Sequence, residues 1–174
     1  MSLSCAIFLV DVFTGMRQGE ILGLAWTDVD FDKGIIYVRK QLQKERKKGG
    51  EYRRVNLKND RIRRIKPASF VMDVLKAEQR KQREGRLRAG AIWDNDMNLV
   101  FTNEPGRYQS SSTVYKSFKR IVASIGEADI VVMHGLRHTF AMLSLQMGVD
   151  FKTLQQEMGH ATSSFTLDVY LQLD

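Results

Sequence analysis

A single cysteine, Cys5, in 174 residues excludes an internal disulfide framework and any metal cluster built on thiolates. The apolar stretch near the start, CAIFLVDVF, is too short to span a bilayer. It is interrupted by Asp11 and has no basic segment before it, so it reads as a buried helix rather than a signal sequence. No lipidation motif or amphipathic basic helix points to a membrane, and a cytoplasmic location is expected. There is no internal repeat and no low-complexity tract. Also missing is the carboxylate cluster that a metal-dependent nuclease requires, so neither a metal nor a cofactor is expected.

What remains is an ordinary globular composition with a strong charge bias. The chain is 43% hydrophobic and 27% charged, long enough for one domain, residues 1–174, with a sizeable core. Its net charge of +7 favours a polyanionic partner, nucleic acid before membrane. Residues 1–3, Met-Ser-Leu, read as a start codon plus cloning residues, and the chain as a domain excised from a longer protein.

The coarse pattern is mainly α with a small antiparallel three-stranded β-sheet, an α+β arrangement. Helices are expected over 4–14 and 18–25, then a turn through WTDVDFDKG. The β-branched and aromatic run at 34–41 predicts a strand, with two more at 51–57 and 63–67 and a hairpin tip near 47–50. Apolar spacing predicts helices from about 70 to 83, over 111–125, 136–147, 151–158 and 163–171, with a short extended piece at 99–101.

The positive charge is concentrated between residues 39 and 66. Thirteen cations less three carboxylates leave +10 there, more than the whole chain carries. Lys44, Arg46, Lys47, Lys48, Arg53, Arg54, Arg61, Arg63 and Arg64 are therefore candidate contacts to a phosphate backbone. The plainer reading is a solvated hairpin that aids solubility.

Three short blocks carry the chemistry. TGMRQGEILGL supplies Arg17 and Glu20, HGLRHTFA supplies His134 and Arg137, and MGHATSSFTLDVY supplies His160 and Tyr170. Guanidinium forks match the nonbridging oxygens of a phosphodiester, where negative charge grows during transfer. A tyrosine hydroxyl is a competent nucleophile. Taken one at a time, each residue also has a structural reading. Arg17 and Glu20 suit a helix-surface ion pair, His134 and His138 suit satisfied core histidines, and Tyr170 suits a packing residue.

Taken together and in this order, the blocks resemble the tyrosine recombinases, the phage-integrase family, along essentially the whole chain. LVFTNEPGRYQSSSTVYKSFKR resembles the family's segment between the blocks. The resemblance implies that Arg17 and Arg137 hold the phosphate, His160 adds a hydrogen bond and Tyr170 attacks. It further implies that His134 assists with the tyrosine proton and that Glu20 supports its neighbours. The family's catalytic lysine lies in a sheet hairpin; LKNDRIRRIKPA places it at Lys58, with Lys47 and Lys48 as fallbacks. His138 is read as structural.

The activity implied is metal-independent cleavage and rejoining of DNA through a 3′-phosphotyrosyl link, in an integrase of a mobile element. A chromosome-dimer-resolving recombinase and a catalytically inactive DNA-binding module are the alternatives. Implied partners are double-stranded DNA attachment sites, a homotetramer of the full-length protein on DNA, and accessory DNA-bending or excision factors. The protein is expected at the nucleoid when acting. The isolated domain, lacking the family's N-terminal DNA-binding domains, is expected to be monomeric.

Overall fold

The computed structural model describes residues 3–45, 50–57, 62–126 and 134–158. Its elements in chain order are α1 (Leu3–Thr14), α2 (Gln18–Leu22), β1 (Val29–Asp30), β2 (Ile35–Val38), β3 (Lys40–Lys44), β4 (Tyr52–Asn56), β5 (Arg63–Ile65), α3 (Ser69–Ala89), α4 (Ser111–Ser124), α5 (His134–Gln146) and α6 (Phe151–Met158). The mainly helical class with small antiparallel sheets is the one expected from the sequence. The expected helix at 163–171 lies outside the described residues.

α1 is the centre of the fold. Ala6, Ile7 and Val10 are buried, and the helix packs against α3, α4 and α5. The first core gathers these residues with Ile21, Leu22 and Leu24 after α1, Ile36 and Val38 of β2, Val71 and Leu75 of α3, and Val114, Phe118 and Val122 of α4. A smaller second core joins α5 to α6 through Ala141, Leu154 and Met158. Burial of this kind contributes about 1.5–3 kcal/mol per large aliphatic side chain, so α1 cannot shift without disturbing all three of these helices.

The sheet is divided in a way the alternation pattern does not reveal. The expected strand at 34–41 breaks at Arg39. β2 lies between β1 and β5 in a three-stranded sheet, whereas β3 pairs only with β4. β1 falls within the segment read as a turn, pairing Val29 with Ile36. β4 and β5 lie within the expected strands at 51–57 and 63–67. The break lets the β3–β4 ribbon leave the sheet and cross α2. There Gly23 fits so closely that an added Cβ would stand 2.4 Å from the Leu42 backbone nitrogen.

α3 runs past its expected end near 83 to Ala89. Its second half has little apolar pattern but is rich in Lys, Gln, Arg and Glu, all good helix formers. The expected extended piece at 99–101 docks beside the exit of α2: Leu99 bridges Ala25, and the Val100 amide donates to the Leu24 carbonyl at 2.9 Å. α4 starts at Ser110, whose hydroxyl accepts from the Thr113 amide at 3.1 Å.

Candidate phosphate-binding site

The turn between α1 and α2 places the first arginine. Gly15 sits there at φ +57°, and an added Cβ would collide with the Phe140 ring of α5 at 2.4 Å. Only glycine meets both demands. Two residues on, Arg17 is extended (φ −72°, ψ 148°) and caps the first turn of α2. Its amide donates to Glu20 Oε2 at 2.7 Å, closing that turn from the acidic side chain three residues later.

Glu20 is completely buried and is the hub of the site. Arg63 of β5 meets it with a two-pronged fork, Nη1 to Oε1 at 3.0 Å and Nη2 to Oε2 at 2.6 Å. Arg17 Nη1 adds a third guanidinium contact to Oε1 at 3.0 Å. Burial pushes the Glu20 carboxyl upward, but the Arg63 fork and the Arg17 amide and guanidinium outweigh it and hold the pKa below its ordinary value. Glu20 therefore stays ionised at neutral pH and fixes the two arginines relative to each other.

Arg137 arrives from the first turn of α5 and is 2% exposed. Its Nη1 donates to the Gly15 carbonyl, and Nη2 donates to the Met158 carbonyl at 2.5 Å. One side chain thus joins the α1–α2 turn, α5 and the end of α6. Burial, followed by the field of the Arg17 guanidinium, lowers its pKa to about 9, still protonated at neutral pH. A buried cation held among like charges is suited to an anion: a phosphate oxygen relieves both the desolvation and the repulsion.

The structure therefore brings together Arg17, Glu20 and Arg137, whose sequence blocks lie far apart. His134 is the first residue of α5, one turn before His138. Lys58, His160 and Tyr170 lie outside the described residues, as do Arg46, Lys47, Lys48 and Arg61. Among the described residues no group of three or more His, Cys, Asp and Glu side chains could hold a metal ion.

Two of the candidate DNA contacts have partners inside the protein. Arg63 points inward, its side chain 10% exposed and occupied by Glu20. Arg54 also points inward: its Nε donates to the Gly23 carbonyl at 2.8 Å, and its Nη2 pairs with the buried Asp28. Both neutralise buried carboxylates, a use that charge counting cannot distinguish from a surface cation. Lys44, Arg53 and Arg64 are exposed and remain able to meet a polyanion. Sequence reading missed the inward role of Arg63 and missed Asp11 as part of the cluster. Asp11 had one signal, a carboxylate inside an apolar helix run.

A separate cleft of about 650 Å³ lies between the Tyr52–Tyr108 ring pair and Asp94, Asp96 and Arg107. It includes none of the arginine-cluster residues.

Comparison with known proteins places this geometry. The sequence profile of the Phage integrase family matches residues 2–174. A tyrosine recombinase XerC-like protein of Caldanaerobacter subterraneus subsp. tengcongensis is 34% identical over 95% of this chain and 44% of its own length. The integrase of Staphylococcus phage L54a is 27% identical over 92% of this chain and 45% of its own. Among solved structures, the Tn1549 transposon integrase in complex with transposon right end DNA superposes with a TM-score of 0.76 and 26% identity, covering 95% of this chain and 53% of that one. The XerH site-specific recombinase bound to difH substrate superposes at 0.69 with 26% identity, covering 97% and 42%. The chain spans less than half the length of these curated relatives.

Proposed function

The chain belongs to the phage integrase family, and on that premise we propose that it is the catalytic part of a site-specific tyrosine recombinase of a mobile element. The observation that carries the reading is the buried cluster: Arg137 held by the Gly15 and Met158 carbonyls, with Arg17 fixed beside it by Glu20. Two guanidiniums from separate helices, immobilised before substrate arrives, suit a phosphodiester whose transition state gains negative charge.

In the proposed reaction the Tyr170 hydroxyl oxygen bonds to the scissile phosphorus as the bond to the 5′-oxygen breaks. This leaves a 3′-phosphotyrosyl link and a free 5′-hydroxyl. Arg17 and Arg137 hold the nonbridging oxygens, with His160 donating a further hydrogen bond. Lys58 supplies the proton to the leaving 5′-oxygen, and His134 helps receive the one from Tyr170. A 5′-hydroxyl of a second duplex then attacks the phosphotyrosine and restores the diester, so bond energy is conserved. The substrate is double-stranded DNA attachment sites, held by a homotetramer of the full-length protein, with DNA-bending or excision factors biasing direction. Lys44, Arg53 and Arg64 are the described residues that would meet the backbone, together with Arg46, Lys47, Lys48 and Arg61.

A chromosome-dimer-resolving recombinase is the second reading, favoured by the XerC-like relative at 34% identity. The concentrated charge at residues 39–66 favours the mobile-element reading. Covalent trapping tests the chemistry. Wild type and Tyr170→Phe would be incubated, in chelator, with nicked suicide duplexes drawn from the flanks of the gene. An adduct in wild type only is expected. Equal DNA binding with no adduct on these or on a randomised duplex pool would reduce the protein to a binding module.

A further inference from the structure

Asp11 is a buried carboxyl that the reaction above does not use. It lies on α1, is 2% exposed, and its Oδ1 is fully enclosed without a hydrogen-bond partner among the described residues. An enclosed acceptor left in this state is destabilising, and more so if it is charged. It sits one helical turn before Gly15: the Asp11 carbonyl accepts the Gly15 amide, and the Gly15 carbonyl accepts from Arg137. The charges whose fields reach it are Arg137 on α5, which favours ionisation, and Glu20 on α2, which opposes it. α4 meets α1 through the Phe8–Phe118 ring contact. Burial raises the pKa of Glu78, the buried carboxyl of α3, against the opposing field of Lys81, and Glu78 is not among the charges that reach Asp11.

The charge count of the cluster follows. Arg17, Arg63 and Arg137 against Glu20 leave +2 when Asp11 is protonated and +1 when it is ionised. We infer that Asp11 is a positioning residue that sets the charge of the arginine cradle, taking up one proton from solvent as a phosphate-like anion enters. The anion adds negative charge to the low-dielectric region around Arg137, which disfavours a second negative charge on Asp11. By reciprocity, protonating Asp11 strengthens anion binding by the same factor. That the anion is a scissile phosphate rests on the recombinase reading; the proton coupling does not.

Burial raises the Asp11 pKa to about 7, so the coupling operates in the neutral range. If the bound anion raises it by about one further unit, affinity falls roughly sevenfold between about pH 6 and pH 8.5. Sulfate is a suitable probe, because it stays doubly charged over that range and needs no DNA site. Sulfate affinity, read by calorimetry, would be compared in wild type and Asp11→Asn. Wild type is expected to lose several-fold more affinity than the variant as pH rises. In wild type alone, the carbon-13 shift of the Asp11 carboxyl should titrate at higher pH with sulfate than without, which covers the case of a misfolded variant. Equal pH slopes, an unmoved carboxyl midpoint, or no sulfate binding at either pH would overturn the inference. A slope difference without covalent DNA trapping would retain Asp11 and reject the recombinase; trapping with equal slopes would do the reverse.

Discussion

Replacing Glu20 by Gln tests the central claim about the site, because it removes one charge with almost no change of shape. Arg63 is then left with a neutral partner at a side-chain exposure of 10%. Removing one member of a buried pair costs about 3–5 kcal/mol, because the other charge stays desolvated. The Gln oxygen keeps one acceptor, so about 3 kcal/mol is expected, the low end of that range. The Arg17 contact adds less, under about 1 kcal/mol, since that side chain is 43% exposed and screened by water. For a chain of this size the combined loss lowers Tm by roughly 6–16 °C.

Urea denaturation at neutral pH, in a double-mutant cycle, reads the effect. Glu20→Gln and Arg63→Met should be strongly non-additive, the double variant being less damaged than the sum of the two singles. Glu20→Gln with Arg17→Met should be nearly additive. The pH dependence has a fixed sign. The folded pKa of Glu20 is lowered, so its contribution is complete above the unfolded carboxylate value of about 4.3 and is lost as pH falls through the folded value. The gap between wild type and Glu20→Gln should therefore close in acid. A neutral-pH loss below about 1 kcal/mol, or a coupling to Arg63 no larger than that to Arg17, would refute the hub.

Two further predictions concern α1 and α2. Asp11→Asn should stabilise the protein above neutral pH by up to about 4 kcal/mol and not at all below the unfolded carboxylate range, because the raised folded pKa makes the native state bind the extra proton between those limits; a gap that does not vary with pH in melting experiments would contradict the assignment. Gly23→Ala should cost about 1–3 kcal/mol, since the new methyl meets backbone rather than a yielding side chain. Faster amide hydrogen exchange at Gln41 and Leu42 would locate the damage, and unchanged exchange there would dismiss the close crossing.

The two candidate phosphate-binding arginines were legible because each stands in a short block with its own local grammar: a glycine turn before Arg17, a helix start before Arg137. The helices were legible from apolar spacing, as in Val114, Phe118 and Val122. Three kinds of information were not. Strand partnership is non-local, so the change of partner at Arg39 leaves no mark on an alternating pattern that continues through it. Arginine direction is also non-local: Arg53 and Arg54 are neighbours, yet Arg53 reaches the surface Glu45 while Arg54 reaches the buried Asp28. Finally, Asp11 looked like a flaw in a hydrophobic stretch, because the guanidinium that shares its field comes from a helix more than a hundred residues later.

The passage of β3 over α2 has a consequence for how this fold can vary. Gly19 of α2 and Gly23 at its end lie one turn apart, and the ribbon, with its backbone at Gly23, fills the space where their side chains would be. At Gly23 the joint meets backbone alone, with no rotamer to turn; at Gly19 it meets the Leu42 carbonyl at 3.1 Å and the Gln41 side chain. The ribbon leaves this joint along β3 and returns along β4. At its base it cannot slide by even one residue without carrying Arg17 and Glu20 with it. The register at Gln41 and Leu42 is accordingly held by the same short helix that follows the first arginine.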